Sequence, residues 1–166
     1  ENAKSAKDVM LGNLDPSVQM SVLDQISTRP DLVVLDTMNF WMDIAMESLM
    51  KVISKVDVLM INEEEARQLT GLKTLPMAAA AVHRMGPKTV VIKKGEHGAI
   101  MFEEGKTFFS PAMPLEKVID PTGAGDSFSG TVLAHLANGE SLHHAINAGI
   151  ANAALAVTTI GARPEL

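Results

Sequence analysis

The stretch Val118-Ile119-Asp120-Pro121-Thr122-Gly123-Ala124-Gly125-Asp126-Ser127-Phe128-Ser129-Gly130 decides how the chain reads. A short apolar run (Leu115, Val118, Ile119) meets a proline. Two glycines one residue apart then precede Phe128, Val132, Leu133, Leu136 and Ala137. That apolar spacing predicts an amphipathic helix, so the order is extended segment, glycine turn, helix. Gly123, Ala124 and Gly125 would present backbone N–H groups at a helix N-terminus, where unpaired donors and the helix dipole favour an anion. Asp126, in the same turn, makes little sense as an anion binder and good sense as a base that takes a proton from a nucleophile. Two plainer readings stand beside this one: an Asp in a first turn also serves as a cap, and Gly-Ala-Gly as a simple turn. The pattern is neither a P-loop, having no Gly-Lys-Ser/Thr, nor a Gly-x-Gly-x-x-Gly dinucleotide turn.

Upstream of this stretch the same alternation of elements repeats. Asp8 to Asn13 predicts a short strand. Asp15-Pro16 opens a helix with Val18, Val22, Leu23 and Ile26 on one face, ended by Arg29-Pro30. Leu32 to Leu35 is a continuous apolar run, the mark of a strand covered on both faces. Ile44 to Ile53 is helical in period, Val56 to Ile61 strand-like, and Glu63 to Leu69 a helix ended at Gly71. Thr74 caps a helix running to Met85, stopped by Gly86-Pro87, and Thr89 to Ile92 is a strand. Ala99–Phe102, Lys106–Phe109 and Leu115–Ile119 read as short hairpin-like strands with a turn at Glu104-Gly105. Two helices close the chain, Asp126–Ala137 and Leu142–Thr158. Strand and helix alternating from residue 8 to 92 imply a parallel sheet with right-handed crossovers. The expected fold class is therefore α/β, a three-layer, doubly wound, mostly parallel sheet, with an antiparallel extension at one edge and residues 1–166 as a single domain.

Composition bounds the function. The 166 residues are 46% hydrophobic and 20% charged, a globular balance able to bury a core. A net charge of −6 without a Lys/Arg-rich block argues against a nucleic-acid partner. No apolar run approaches the roughly 20 residues of a membrane span, and Glu1 to Lys7 lack the apolar region of a signal peptide. With no cysteine, disulfides and thiolate metal sites are excluded, which fits a cytoplasmic location. Eleven Met stand against five Phe and one Trp, and their scatter through periodic segments reads as core filler.

Ligands of open parallel sheets bind beyond the carboxyl ends of the strands. Asp36 and Asn39 follow one strand, Asn62 and Glu65 the next, Lys93, Lys94 and Gly95 a third, and Gly123 to Asp126 the last extended segment. Each alone also reads as a cap or solvated surface. Together they describe a metal–phosphate site, with cations and N–H donors for phosphate and carboxylates for a divalent ion and a base.

The full string Asp120-Pro-Thr-Gly-Ala-Gly-Asp126 resembles the second signature of the ribokinase (PfkB) family of carbohydrate kinases. The resemblance implies a ribokinase-like fold and an ATP-dependent phosphotransferase moving the γ-phosphate to a hydroxyl of a sugar or sugar-like substrate. It makes Asp126 the base, and Gly123, Ala124 and Gly125 the anion hole for the transferring group. Asn62-Glu63-Glu64-Glu65 is similar to the family's Asn-x-x-Glu motif, whose Glu helps hold Mg²⁺ through water, and a single carboxylate suits that strongly hydrated ion. Lys93-Lys94-Gly95-Glu96-His97-Gly98 resembles the nucleotide loop Thr-x-Gly-x-x-Gly, with Lys93 in place of Thr, a point charge where the family has a hydroxyl. His97 reads as an exposed loop residue. Ala148 to Ala162 resembles the adenine-side segment, with Ile150 where an Asn or His often stands. Asp120 and Thr122, with carbonyls near Ala156, Thr159 and Gly161, match the K⁺ site of many members. Asp36-Thr-Met-Asn39-Phe-Trp41 is similar to an Asp-x-Asn-x-x-x-Trp region in which Asp36 or Asn39 would lie near phosphate or substrate and Trp41 would pack.

The resemblance covers the C-terminal half of the family pattern. It implies a chain truncated on its N-terminal side, without the half that carries the sugar contacts and lid, and inactive by itself. Val33–Leu35 would then lie at an exposed apolar edge, favouring self-association as a homodimer. Two other functions fit the same residues: a non-catalytic adenine-nucleotide-binding module, and a kinase of a nucleoside or vitamin alcohol. Asp126 and Glu65 together favour an enzyme, since a pure binder needs neither.

Overall fold

The computed structural model describes residues 6–103 and 105–160. The chain divides into two compact units, Glu1–Ile92 with Met101–Thr107, and Lys93–Ile100 with Phe108–Leu166. The strands are β1 (Asp8–Leu11), β2 (Leu32–Asp36), β3 (Val58–Asn62), β4 (Thr89–Lys93), β5 (Ala99–Glu103) and β6 (Lys106–Ser110). The helices are α1 (Pro16–Gln25), α2 (Asn39–Ile44), α3 (Met46–Ile53), α4 (Glu63–Thr70), α5 (Leu75–Met85), α6 (Ala124–Ala137) and α7 (Leu142–Ala156). All six strands form one sheet in the order β1-β2-β3-β4-β5-β6, an α/β architecture that is mostly parallel.

In the first unit β1 pairs in parallel with β2, Asp8 opposite Leu32, and β2 with β3, Val34 opposite Val58. Sequential neighbours joined by right-handed crossovers carry their helices on one face. The packing of α1 on α3, of α2 on α4 and of α4 on α5 accords with this. The strands form where β-branched and aliphatic residues run without interruption. Val33, Val34 and Leu35 on β2, Leu59 to Ile61 on β3 and Val90 to Ile92 on β4 are all fully buried, each side chain contributing about 1.5–3 kcal/mol by leaving water. The connections β4–β5 and β5–β6 are too short for a crossover and admit only antiparallel neighbours.

In the second unit the four residues between α6 and α7 make these helices antiparallel partners. Gly149 sets how closely they meet. A Cβ there would come within 2.9 Å of Phe128 Cδ2 and Val132 Cγ2 and 3.0 Å of the Phe128 carbonyl.

Several local expectations change. On α1 the buried residues are Pro16 and Gln19, while Val18 and Val22 are exposed. The helix turns on Gln19, whose Nε2 donates to the Gly12 carbonyl at 2.7 Å. The helical run ending at Ile53 begins at Met46, broken from α2 at Ala45, whose φ of −142° leaves the helical region. Thr74 precedes α5 as its N-cap, but its side chain makes no capping hydrogen bond. Leu115–Ile119 is not a strand. Its side chains are exposed, and its backbone is tied to a helix end, Ile119 N–H donating to the Val157 carbonyl at 2.8 Å. Val33–Leu35 show no exposed apolar edge, since β1 covers that side of β2. Glu104 of the expected Glu104-Gly105 turn lies outside the described residues. No helix among the described residues is long and apolar enough to cross a membrane.

Candidate functional site

The second unit contains a cleft of about 470 Å³. Lys93, Gly95 and Gly98 reach it from the end of β4 and the loop beyond. Ala124, Gly125 and Phe128 reach it from the first turns of α6, and Ile150, Ala153, Ala154 and Val157 from α7. Met113 and Pro114 line it as well, with Leu115 and Val118 of the segment expected to be a strand.

The loop after β4 closes through a short 3₁₀ turn, Gly95–His97, with Lys94 N–H donating to the Gly98 carbonyl at 2.7 Å. Gly98 has φ +91°, and a Cβ on it would lie 2.0 Å from the Ser110 carbonyl and 2.6 Å from Ala112 N. Any side chain there would push the loop off residues 110–112, so glycine keeps the cleft's margin in place. Glu96 and His97 are exposed, as the sequence predicts.

α6 starts two residues earlier than the expected Asp126, at Ala124. Gly123 is its N-cap, in the left-handed region at φ +79°, with Ala124, Gly125 and Asp126 as the first three helical residues. The Ala124 N–H donates back to Pro121 O at 3.3 Å. The N–H groups of Gly125 and Asp126 belong to the first turn, where no intrahelical acceptor exists. A methyl group built on Gly125 would meet one neighbour, Lys93 Nζ, at 3.6 Å. An ammonium therefore stands over the positive end of a helix, two charges of one sign facing the same small space, which is an environment for an anion. Asp126 is exposed, and Ile150 is buried in the cleft wall.

The loop before α6 is held by Asp120, whose Oδ1 accepts from Thr122 N–H at 2.9 Å. Asp120 N–H donates to Val157 O at 3.3 Å, placing this carboxylate at the C-terminal end of α7, where carbonyls lack helical donors. Thr159 Oγ1, just beyond that end, is buried without a hydrogen-bond partner among the described residues. Such hard oxygen donors suit an alkali cation. Gly161, expected to take part, lies outside the described residues, as does Ala162 of the expected adenine-side segment.

In the first unit Asn62 and Glu65 stand at the carboxyl end of β3. They form a reciprocal capping box: Asn62 Oδ1 accepts from Glu65 N–H at 2.8 Å, and Glu65 Oε2 accepts from Asn62 N–H at 2.7 Å. Glu65 is buried. Glu63 pairs with Arg67 at 2.5 Å. Asp36 is buried at the end of β2, whereas Asn39 is exposed and its Oδ1 accepts from the next N–H. Trp41 packs edge-on against Phe40 and donates from Nε1 to Asn13 Oδ1 at 2.8 Å. Of the residues read from the sequence, Lys93, Gly95, Gly98, Ala124, Gly125 and Ile150 thus share one cleft, and Asn62 and Glu65 share one capping box. Ala153, Ala154 and Val157 were not singled out from the sequence, though they fall within the Ala148 to Ala162 segment, and their helical spacing from Ile150 puts them on its face.

The sequence pattern described as "pfkB family carbohydrate kinase" matches residues 6–166. The chain is similar to the cytidine kinase of Thermococcus kodakarensis, 36% identical over 107 residues, which are 63% of this chain and 38% of that protein. Among solved structures it is similar to Arabidopsis thaliana ribokinase complexed with ribose and ATP, with TM-score 0.82 and 27% identity over 98% of this chain and 54% of that one. It is also similar to a putative ribokinase II from E. coli in complex with ATP and Mg²⁺, with TM-score 0.81 and 26% identity over 93% of this chain and 53% of that one. The chain therefore spans well under two thirds of the length of each of these proteins.

Proposed function

This chain belongs to the pfkB family of carbohydrate kinases, and from that premise we propose that it is the nucleotide-binding and catalytic part of an ATP-dependent kinase whose acceptor is a hydroxyl of a sugar or nucleoside. The observation that carries this reading is the cleft of the second unit. Its one end holds Lys93, the Gly95–Gly98 loop and the first turn of α6, and its α7 wall is apolar. A nucleotide has the same division, an anionic phosphate chain and a flat base. The apolar wall at Ile150 and Ala153 suits the base by contact rather than by hydrogen bonding.

In this reading Asp126 accepts the proton of the acceptor hydroxyl as its oxygen forms the new bond to the γ-phosphorus. The bond from that phosphorus to the β–γ bridging oxygen breaks, and ADP leaves. The N–H groups of the α6 first turn and Lys93 Nζ hold the equatorial oxygens, a positioning and charge-stabilising role. Magnesium supplies neutralisation of the β- and γ-phosphate oxygens when bound. Glu65, whose carboxylate accepts from the Asn62 N–H, is the residue that would help hold it. Asp120, with the carbonyls at the end of α7, would hold potassium. The relatives include both a cytidine kinase and ribokinases, which supports a sugar or a nucleoside as acceptor.

The test is ADP release by the complete gene product over a panel of sugars and nucleosides. Acceptor-dependent turnover that requires Mg²⁺ is expected. ATP binding without turnover on any acceptor would favour a regulatory nucleotide module instead.

A further inference from the structure

α6 ends in a Schellman motif. Gly139 N–H donates to Leu136 O at 2.9 Å and Glu140 N–H to His135 O at 3.1 Å, with Gly139 at φ +80°. This motif folds the second residue past the helix back over the last turn, a place commonly filled by an apolar pair. Here the pair is His135 and Glu140. α7 begins at once, with Ser141 as its N-cap and Ser141 Oγ accepting from the His144 N–H at 3.3 Å. His144 is thereby set one turn beyond Glu140.

The three side chains converge. Glu140 Oε2 lies 2.9 Å from His135 Nδ1 and 3.1 Å from His144 Nε2. The two imidazole centroids are 5.5 Å apart, and one ligand atom from each residue falls within 4.8 Å of the other two. His135 Nδ1 is buried beside this carboxylate. Two ring nitrogens held about one carboxylate oxygen flank a common point, as ligands of one ion do.

We propose that His135, Glu140 and His144 form a site for a divalent first-row transition ion of the zinc class at the α6–α7 turn. Two imidazoles and one carboxylate are a ligand set that holds zinc while leaving a fourth position for water. Bonds of about 2.0–2.2 Å around a tetrahedral centre put ligand atoms roughly 3.3–3.5 Å apart, so the present separations need only small side-chain rotations. Imidazole nitrogen disfavours magnesium and calcium, which take oxygen ligands. The site is therefore chemically distinct from any magnesium position at Glu65, and it does not depend on the kinase reading.

The test uses tag-free protein of the full chain. Zn²⁺ is titrated against a chromophoric chelator, and Cu²⁺ is added in parallel as a spectroscopic probe. We expect one zinc per chain and a copper EPR spectrum with nitrogen hyperfine structure from two imidazoles. His144→Ala, at a side chain 66% exposed, should remove one nitrogen from that spectrum. It should also weaken zinc by at least the roughly 10–100-fold that loss of an outer-shell partner costs at metal sites. Glu140→Gln should weaken zinc while leaving both nitrogens in the copper spectrum, and His97→Ala should change neither. Zinc affinity untouched by His144→Ala and Glu140→Gln, or no zinc bound by protein shown to be folded by circular dichroism, would overturn the proposal.

Discussion

At the scale of single residues, the proposed function gives Asp126 and Gly125, neighbours in the first turn of α6, different tasks. A general base contributes about 10²–10⁴-fold to rate, and an exposed carboxylate at the third position of α6 holds no phosphate. In the complete protein with its acceptor, Asp126→Asn should therefore lower kcat by that order with nucleotide affinity nearly unchanged, as steady-state kinetics and ATP titration would show. Equal turnover would reduce Asp126 to a helix-terminal acid. Gly125→Ala separates binding from folding. Its new methyl would meet only Lys93 Nζ, at the ordinary contact distance of 3.6 Å, and alanine is the better helix former. Melting temperature should hold or rise. ATP affinity should fall about tenfold, some 1.4 kcal/mol, because the methyl occupies the space between ammonium and helix end. Unchanged affinity in a folded variant would remove the phosphate from that space.

At the scale of elements, Asn62 ties function to stability. Its side chain caps α4 while its backbone N–H donates to the Glu65 carboxylate, so Asn62→Ala should cost about 1 kcal/mol, or roughly 2–4 °C of melting temperature for a domain of this size. A melting curve that does not move would mean that the box is a weak cap. Elements whose signals are local were legible in the sequence. The apolar runs of β2, β3 and β4, the stop at Gly71 and the turn before α6 are short-range patterns in which sterics and burial agree. The misreadings arose where tertiary contacts overrule the local pattern. Val18 and Val22 have helical spacing, yet Gln19 takes the interior because its amide reaches the Gly12 carbonyl. Leu115 to Ile119 is apolar enough for a strand but finds no ladder, and Pro111 and Pro114 nearby were the available warning. The His135, Glu140 and His144 cluster had no legible motif, since its spacing comes from a Schellman turn between two helices.

At the scale of the whole molecule, the glycines and lysine read from the sequence at strand and helix ends, Lys93, Gly95, Gly98 and Gly125, do line one cleft, because residue types of that kind at such ends are a local signal. The acceptor was not readable, since nothing in this cleft distinguishes one alcohol from another. The 166 residues span about half of each related structure described above, and phosphoryl transfer depends on aligning the hydroxyl and excluding water. These residues by themselves should bind nucleotide and release no ADP when sugars or nucleosides are added. Robust acceptor-dependent turnover from this chain alone would refute that division of labour. In the proposed function the cleft between the β4 loop, α6 and α7 receives ATP. Calorimetric titration of ATP into the chain tests it most directly, run with and without Mg²⁺ and repeated on Lys93→Ala. The prediction is saturable binding near one ATP per chain, strengthened by Mg²⁺ and weakened by Lys93→Ala. Absence of heat and of any thermal shift at millimolar ATP, in protein shown to be folded, would contradict it.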